Sequence, residues 1–246
     1  MKKNCRNIRL FVKSRLTCEQ EIVLDARQSH YLCNVMRCEK GMAVRLFNGC
    51  DGEFAAEIIE INKKQAILRP YEQLRKQEEE NDVWLLFAPL KKDKTDMVIE
   101  KAVELGVSKI IPTITKFVNC EKIKNERFEL QATEAAEQCQ RLSVPEICEA
   151  KKLCDILDGW NNERVLFFMN EKRVGKEALS TFSKHKNKPA AILIGPEGGF
   201  AAEEIALLEK QSFVETLTLG PRILRAETAA ICALTLWQAS VGDWKK

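Results

Sequence analysis

The first seventy residues contain short runs of alternating apolar and polar positions, which is the pattern of half-buried β-strands. The predicted strands are Arg9–Val12, Glu21–Leu24, Ala43–Phe47, Phe54–Ile61 and Gln65–Arg69. Turn signals at Asn48-Gly49 and Asp51-Gly52 separate two of them, and one helix is predicted from Ala26 to Arg37. Several short strands with a single helix indicate a small β-barrel.

A polar, highly charged stretch follows this region, from Glu72 to Asp82, and it has no apolar periodicity. Such a composition is typical of a segment between domains. We therefore interpret residues 73–82 as a linker between a barrel domain of residues 1–72 and a second domain of residues 83–246.

Beyond the linker, buried strands alternate with amphipathic helices. The predicted strands are Val83–Ala88, Lys109–Ile114, Arg164–Met169, Ala190–Ile194 and Val214–Leu219. The predicted helices run from an N-cap at Asp93 to Leu105, from Glu126 to Arg141, and from Ala226 to Ser240. This alternation predicts an α/β fold with a parallel sheet covered by helices on both faces.

Two glycine-proline turns follow the last two predicted strands. The first turn is Ile194-Gly195-Pro196-Glu197-Gly198-Gly199-Phe200, and the second begins Leu219-Gly220-Pro221-Arg222-Ile223-Leu224-Arg225-Ala226-Glu227-Thr228. Ligands of open α/β sheets bind in the crevice at the carboxyl ends of the strands, and glycine lets a ligand touch the backbone there. Arg222 and Arg225 either bind an anionic ligand in this crevice or are surface arginines bridged to Glu227.

The composition is that of a soluble globular protein, with 246 residues of which 45% are hydrophobic and 30% are charged. No apolar run is long enough to span a membrane, and the basic N-terminus lacks the apolar centre of a secretory signal. The ten cysteines include no C-x-x-C pair, so we expect them to be small buried hydrophobic residues in a reducing cytoplasm.

The net charge of +3 is unevenly distributed, with +4 in residues 1–72 and −1 in residues 73–246. Six cations precede the first acidic residue, Glu19: Lys2, Lys3, Arg6, Arg9, Lys13 and Arg15. A basic arm of this kind either contacts a polyanion or is a solvated terminus.

Several common catalytic motifs are missing from the sequence. It has no G-x-G-x-x-G dinucleotide turn, no P-loop lysine motif and no G-x-S-x-G nucleophile turn. The two histidines, His30 and His185, are far apart in the sequence. Neither a metal site nor a catalytic triad is therefore predicted.

Together, the two turns resemble those of the bacterial 16S rRNA uridine-N3 methyltransferases, a family within the SPOUT class of knotted methyltransferases. The resemblance continues in Lys101–Val107, in Glu134–Arg141 and in Val144-Pro145-Glu146-Ile147. Near the N-terminus, Arg9–Val12 and His30–Arg37 resemble the RNA-binding domain of the family, which is PUA-like. The similar segments occur in order along nearly the whole chain.

The resemblance implies a small PUA-like β-barrel domain followed by a parallel-sheet SPOUT domain with a C-terminal trefoil knot, in a homodimer. It implies S-adenosylmethionine as the cofactor, bound by Met169, Asn170, Ile194, Gly195, Pro196, Gly198, Gly199, Leu219, Gly220, Ile223, Leu224, Arg225 and Ala226. The catalytic residues would be Arg225, Arg222 and Glu197, with no metal. The implied substrate is 16S rRNA within the small ribosomal subunit, contacted by Arg6, Arg9, His30, Arg37 and Arg141.

Three positions depart from the family pattern. Lys116 lies where the family commonly has an arginine segment, Gln140 where it often has glycine, and Ala201 where a serine or threonine often caps the next helix. None lies within the two turns, so the departures affect the RNA contacts rather than the cofactor site. Two alternatives remain open: a SPOUT methyltransferase acting on tRNA, and a non-catalytic RNA-binding protein with a degenerate site.

Overall fold

The computed structural model describes residues 8–62, 65–118 and 124–245, which form two compact units. The first unit extends to Glu79 and also includes Ala136–Val144. The second comprises Glu80–Ala135 and the chain from Pro145 onwards. The segment Ala136–Val144 thus belongs to the first unit, whereas the sequence pattern placed everything after residue 82 in one domain.

A five-stranded sheet curls around the apolar core of the first unit. Its strands are β1 (Arg9–Phe11), β2 (Ile22–Val23), β3 (Ala43–Phe47), β4 (Glu53–Ile61) and β5 (Ala66–Arg75), in the order β1-β3-β4-β5-β2. β1 and β3 are parallel and the other pairs are antiparallel. Register shifts between β4 and β5 bend this long hairpin, and Val44, Leu46 and Ile58 are buried inside the sheet.

Two elements of the first unit differ from the prediction. Residues 73–75, assigned above to the linker, are the end of β5: Gln73 and Arg75 pair with β4 through their backbone while their side chains stay exposed. The predicted helix from Ala26 to Arg37 is a short α-helix, α1 (Ala26–His30), followed by a π-helical turn over Tyr31–Val35. Arg37 has a φ of 54°, which ends the helical path.

All strand pairs described in the second unit are parallel, as predicted. The strands are β6 (Val83–Phe87), β7 (Lys109–Ile114), β8 (Glu146–Ile147), β9 (Lys151–Lys152), β10 (Val165–Met169), β11 (Lys176–Glu177), β12 (Ala190–Ile194) and β13 (Val214–Thr218). Their order is β11-β13-β10-β12-β6-β7-β8, and β9 pairs with β7. The central strands are apolar along their whole length, and Leu85, Phe167 and Ile192 are fully buried, because helices cover both faces.

The helices around this sheet are α2 (Lys92–Glu104), α3 (Asn125–Cys139), α4 (Leu153–Asp158), α5 (Ala178–Phe182), α6 (Ala202–Glu209) and α7 (Ala226–Val241). Asp93 lies in the first turn of α2 rather than at the N-cap, which is Lys91. α3 ends before the predicted Arg141 because Gln140 has a left-handed φ of 63°. Ala201 caps α6 without a side-chain hydrogen bond; its backbone N–H donates to Glu204 Oε2 at 2.9 Å.

The described residues bear on two expectations from composition, the burial of the cysteines and the lack of a membrane-spanning segment. Of the eight cysteines among them, only Cys38 is buried, so the expectation of buried cysteines is wrong for the other seven. No helix within the described ranges has the length and apolar character needed to cross a membrane.

Candidate active site

The carboxyl ends of β10, β12 and β13 open onto a cavity of about 440 Å³. Because β10 pairs in parallel with both neighbours, the loops after these strands meet at one edge of the sheet. The cavity brings together nearly all of the predicted cofactor residues: Met169, Asn170, Ile194, Gly195, Pro196, Gly199, Leu219, Gly220, Ile223, Leu224, Arg225 and Ala226. The predicted catalytic residues Arg225, Arg222 and Glu197 line the same cavity.

Gly198 is the one predicted cofactor residue that does not line the cavity. It is exposed, and a Cβ atom on it would lie 3.1 Å from Cβ of Phe117. The turn is closed by the N–H of Gly199, which donates to the carbonyl oxygen of Pro196 at 2.9 Å. A glycine at position 198 therefore leaves room for Phe117.

Two glycines of the cavity have backbone conformations that other residues rarely adopt. Gly199 has a φ of 72°, and a Cβ there would lie 2.6 Å from Oε1 of Glu171. Gly220 has a φ of 107°, and no atom lies within 4 Å of where its Cβ would be. The empty space beside Gly220 belongs to the cavity, so a ligand there would contact the backbone directly.

The loop after β10 supplies residues that the sequence analysis only partly identified. The buried Asn170 accepts a hydrogen bond at Oδ1 from the N–H of Lys172 (2.8 Å). Glu171 accepts one from the N–H of Phe200 (3.1 Å), and Arg173 donates to the carbonyl oxygen of Pro221 (3.2 Å). Glu171 and Arg173 both line the cavity, and their contacts join this loop to the other two.

Some charged side chains of the cavity form ion pairs with one another, and others have no ion-pair partner among the described residues. Lys94 forms an ion pair with Glu197, and its Nζ lies 3.8 Å from Oε1 of Glu227. The hydrogen bond and the charge of Lys94 lower the pKa of Glu197 below its ordinary value. Arg222 and Arg225 are exposed, and no residue in the described ranges forms an ion pair or side-chain hydrogen bond with them. Glu227 thus pairs with Lys94, and the arginines remain available to a ligand.

The sequence analysis missed five residues of the cavity: Lys94, Glu171, Arg173, Thr218 and Ala229. Four of them lie within a few residues of a predicted turn or strand end, and this proximity was a usable signal. Lys94 gave no such signal, because it comes from α2, about a hundred residues earlier in the chain. Lys116, which replaces the family's arginine segment, pairs with Glu203 and does not line the cavity.

Arg9, predicted to contact RNA, is a structural residue of the first unit. Its side chain is 4% exposed and forms an ion pair with the equally buried Glu53 (2.5 Å). The guanidinium also donates to the carbonyl oxygens of Ala136, Glu137 and Arg141 at 2.8 to 3.0 Å. The prediction for Arg9 is wrong, because a buried guanidinium with these partners cannot reach a phosphate group.

The other predicted RNA contacts have different surroundings. His30 and Arg37 are exposed at the end of α1 and after the π-helical turn. Arg141 is half-buried, and its Nε donates to Oγ of Ser143 at 3.1 Å. Arg6 lies outside the described residues.

Comparison with known proteins identifies the family. The protein-family model for the RNA methyltransferase domain matches residues 77–238, and the family model for the RNA methyltransferase PUA domain matches residues 24–71. The Ribosomal RNA small subunit methyltransferase E of Rickettsia conorii is 37% identical over 92% of this chain and 93% of its own length. The chain belongs to the ribosomal RNA small subunit methyltransferase E family. The resemblance inferred from the two turns is therefore confirmed.

Further similar proteins support this assignment. The protein of that name from Buchnera aphidicola subsp. Schizaphis graminum is 32% identical over 96% of this chain and 97% of its own length. The Neisseria gonorrhoeae methyltransferase E, solved with S-adenosylmethionine, has a TM-score of 0.87 at 26% identity and covers 96% of this chain and 99% of its own. A Legionella pneumophila protein solved with the same cofactor has a TM-score of 0.85 at 32% identity, covering 97% and 99%.

Proposed function

We propose that this protein transfers a methyl group from S-adenosylmethionine to N3 of a specific uridine in 16S rRNA of the small ribosomal subunit. The observation that carries the proposal is the cavity at the carboxyl ends of three parallel strands, whose lining includes Gly199, Gly220 and the two unpaired arginines. Such a site suits a ligand that fits closely against backbone and a substrate that becomes anionic.

The residues of the cavity fit S-adenosylmethionine. The free space beside Gly220 accepts a flat ring system against the backbone, and the apolar side chains of Met169, Ile194 and Leu219 supply its walls. The cofactor carries both a carboxylate and cationic groups, and the cavity has side chains of both signs. Metal ligands are not part of the proposal, and the described ranges hold no group of three metal-ligating side chains.

The chemistry requires an activated methyl group and a nitrogen with an available lone pair. When bound, S-adenosylmethionine would supply the methyl group: N3 would give up its proton to solvent and bond to the methyl carbon, and sulfur would keep the electron pair of the broken carbon–sulfur bond. Arg225 and Arg222 line the cavity, and we assign to their guanidiniums the stabilisation of negative charge on the uracil oxygens. Glu197, kept ionised by Lys94, accepts a hydrogen bond from the bound ligands or holds its loop in position.

RNA docking is assigned to the first unit, which contains the barrel and the segment Ala136–Val144, and methyl transfer is assigned to the second unit. The barrel carries the net charge of +4, and charge of this sign attracts the phosphate backbone. His30, Arg37 and Arg141 remain candidates for RNA contact together with Arg6, whereas the buried Arg9 is excluded.

Further properties come from the family resemblance. We propose that the C-terminal segment forms a trefoil knot, that two copies assemble as a homodimer, and that the enzyme acts in the cytoplasm. The target uridine has to leave its base stack to reach the cavity.

Transfer of tritium from labelled S-adenosylmethionine tests the proposal and its alternatives. We expect label in small subunits from a strain lacking this methylation, and none in tRNA. Label in tRNA alone would support a tRNA methyltransferase. Absence of cofactor binding in calorimetry would support an RNA-binding protein with a degenerate site.

A further inference from the structure

Lys94 is a cation of the cavity whose side chain is fixed by two carboxylates from different elements. It projects from the first turn of α2 and lines the cavity. Its Nζ pairs with Glu197, in the turn after β12, and lies 3.8 Å from Oε1 of Glu227, in the first turn of α7. These three elements belong to one compact unit, so Lys94 has a fixed place beside both glycine-proline turns.

Glu227 makes this placement favourable. Its side chain is 13% exposed, and its Oε2 is buried without a hydrogen-bond partner among the described residues. A buried carboxylate is costly unless a cation lies close to it, and Lys94 is the cation that the structure gives it. The carboxylate of Glu227 therefore restrains the position of the ammonium group of Lys94.

The ammonium group has more donors than its two carboxylates use. It carries three protons, of which Glu197 accepts one, and the 3.8 Å separation from Glu227 exceeds hydrogen-bond length. At least one proton is thus free to point into the cavity. Arg222 and Arg225 are exposed and unpaired, whereas an ion pair holds the side chain of Lys94. Of these three cations, Lys94 therefore has the most restrained position before the substrate binds.

We infer that Lys94 is a further catalytic residue, whose ammonium group stabilises the uracil anion that forms as N3 loses its proton. This inference rests on the proposed function and adds to it a fixed electrostatic contact with the pyrimidine ring. Loss of the N3 proton spreads negative charge onto the two ring carbonyl oxygens. A preorganised donor aimed at this charge lowers the barrier without reorganisation during the reaction.

The test combines a charge-removing variant with a change in substrate acidity. Lys94→Met is compared with wild type on small subunits assembled from 16S rRNA transcribed with uridine or with 5-fluorouridine. Fluorine at C5 makes the N3 proton more acidic, so the anion needs less stabilisation. With uridine we expect Lys94→Met to lower kcat by about a hundredfold at saturating cofactor, and with 5-fluorouridine by about tenfold or less.

Two control variants accompany this comparison. Lys101→Met changes the same residue type on the same helix, where Lys101 also pairs with two carboxylates, Glu100 and Glu104, but outside the cavity. It should leave kcat unchanged with both RNAs. Lys94→Arg keeps the charge and should recover most of the lost rate. If Lys94→Met does not fold, Lys94→Gln, which keeps a donor for the carboxylates, is tested by the same ratio.

The outcomes separate this inference from the proposed function. A loss of kcat that is equal with both RNAs would overturn the inference, because a merely structural role does not depend on N3 acidity. A loss of cofactor affinity as large as the loss of rate would also overturn it and make Lys94 a cofactor ligand. If wild-type protein binds S-adenosylmethionine but methylates neither RNA, the proposed function itself fails, and the inference fails with it.

Discussion

Gly220 offers the sharpest test of where the cofactor binds. Its φ is 107°, and no atom lies within 4 Å of the position that a Cβ would take. Gly220→Ala therefore places a methyl group in the free space of the cavity without touching the protein. Gly199→Val is less informative, because its side chain would first collide with Glu171.

The expected effect of Gly220→Ala follows from the overlap between this methyl group and the bound cofactor. Forcing extra carbon atoms into a packed site costs about 1–3 kcal/mol. Since about 1.4 kcal/mol is a tenfold change in affinity, S-adenosylmethionine should bind roughly 5- to 150-fold more weakly. Gly220→Val, with a larger side chain, should abolish binding. Isothermal titration calorimetry measures both affinities.

A matched control separates ligand exclusion from backbone strain. Gly41, in the first unit, has a φ of 85°, and a Cβ there would meet Oε1 of Glu57 at an ordinary 3.9 Å. Both Gly41→Ala and Gly220→Ala should lower the free energy of unfolding by about 1–2 kcal/mol. Only Gly220→Ala should weaken cofactor binding. Wild-type affinity in Gly220→Ala, or an equal loss in Gly41→Ala, would refute the placement of the cofactor beside Gly220.

Three further predictions concern charged residues. Arg225→Ala should lower kcat by about a hundredfold while cofactor affinity changes little, as measured by tritium transfer and calorimetry; equal losses would make Arg225 a cofactor ligand or a structural residue. Arg9→Ala leaves Glu53 buried without its close partner and should lower the free energy of unfolding by about 3 kcal/mol in urea denaturation, and a change within the error of the assay would contradict the structural role given to Arg9. Burial opposes ionisation of Asp82, but the hydrogen bond and charge of Arg164 outweigh it, so the pKa of Asp82 lies below its ordinary value of 3.8. This pair therefore stabilises the fold above pH 3.8 and ceases to do so as the pH falls through the lowered pKa. Asp82→Asn should lower the free energy of unfolding at neutral pH by less than about 1 kcal/mol, because Asp82 is half exposed, and should lower the melting temperature accordingly. The difference from wild type should vanish in acid. A difference in melting temperature that stays constant with pH would contradict this assignment.

The second unit was the more predictable part of the fold. Its central strands are continuous apolar runs, and the bounds of β7 and β12 match the prediction residue for residue. The strands before the two glycine-proline turns were recognised by the same signal, which placed most cavity residues correctly. The order of strands in the sheet has no local signature, because it depends on which distant segments pair.

Long-range contacts explain the main differences from the prediction. Arg9 belongs to a basic segment in the sequence, and only the fold brings Glu53 and the carbonyl groups near residue 140 to its guanidinium. The same contacts hold the segment Ala136–Val144 in the first unit, although the sequence places it beyond the linker. Lys94 is also a long-range contribution, since its carboxylate partners lie more than a hundred residues away.

Nucleoside analysis of methylated 16S rRNA tests the proposed activity most directly. Small subunits that lack this methylation are incubated with the protein and tritium-labelled S-adenosylmethionine, and the rRNA is then digested to nucleosides. We expect all of the label to co-elute with N3-methyluridine. Label in a different nucleoside, such as 5-methyluridine or a 2′-O-methylated residue, would contradict methylation at N3.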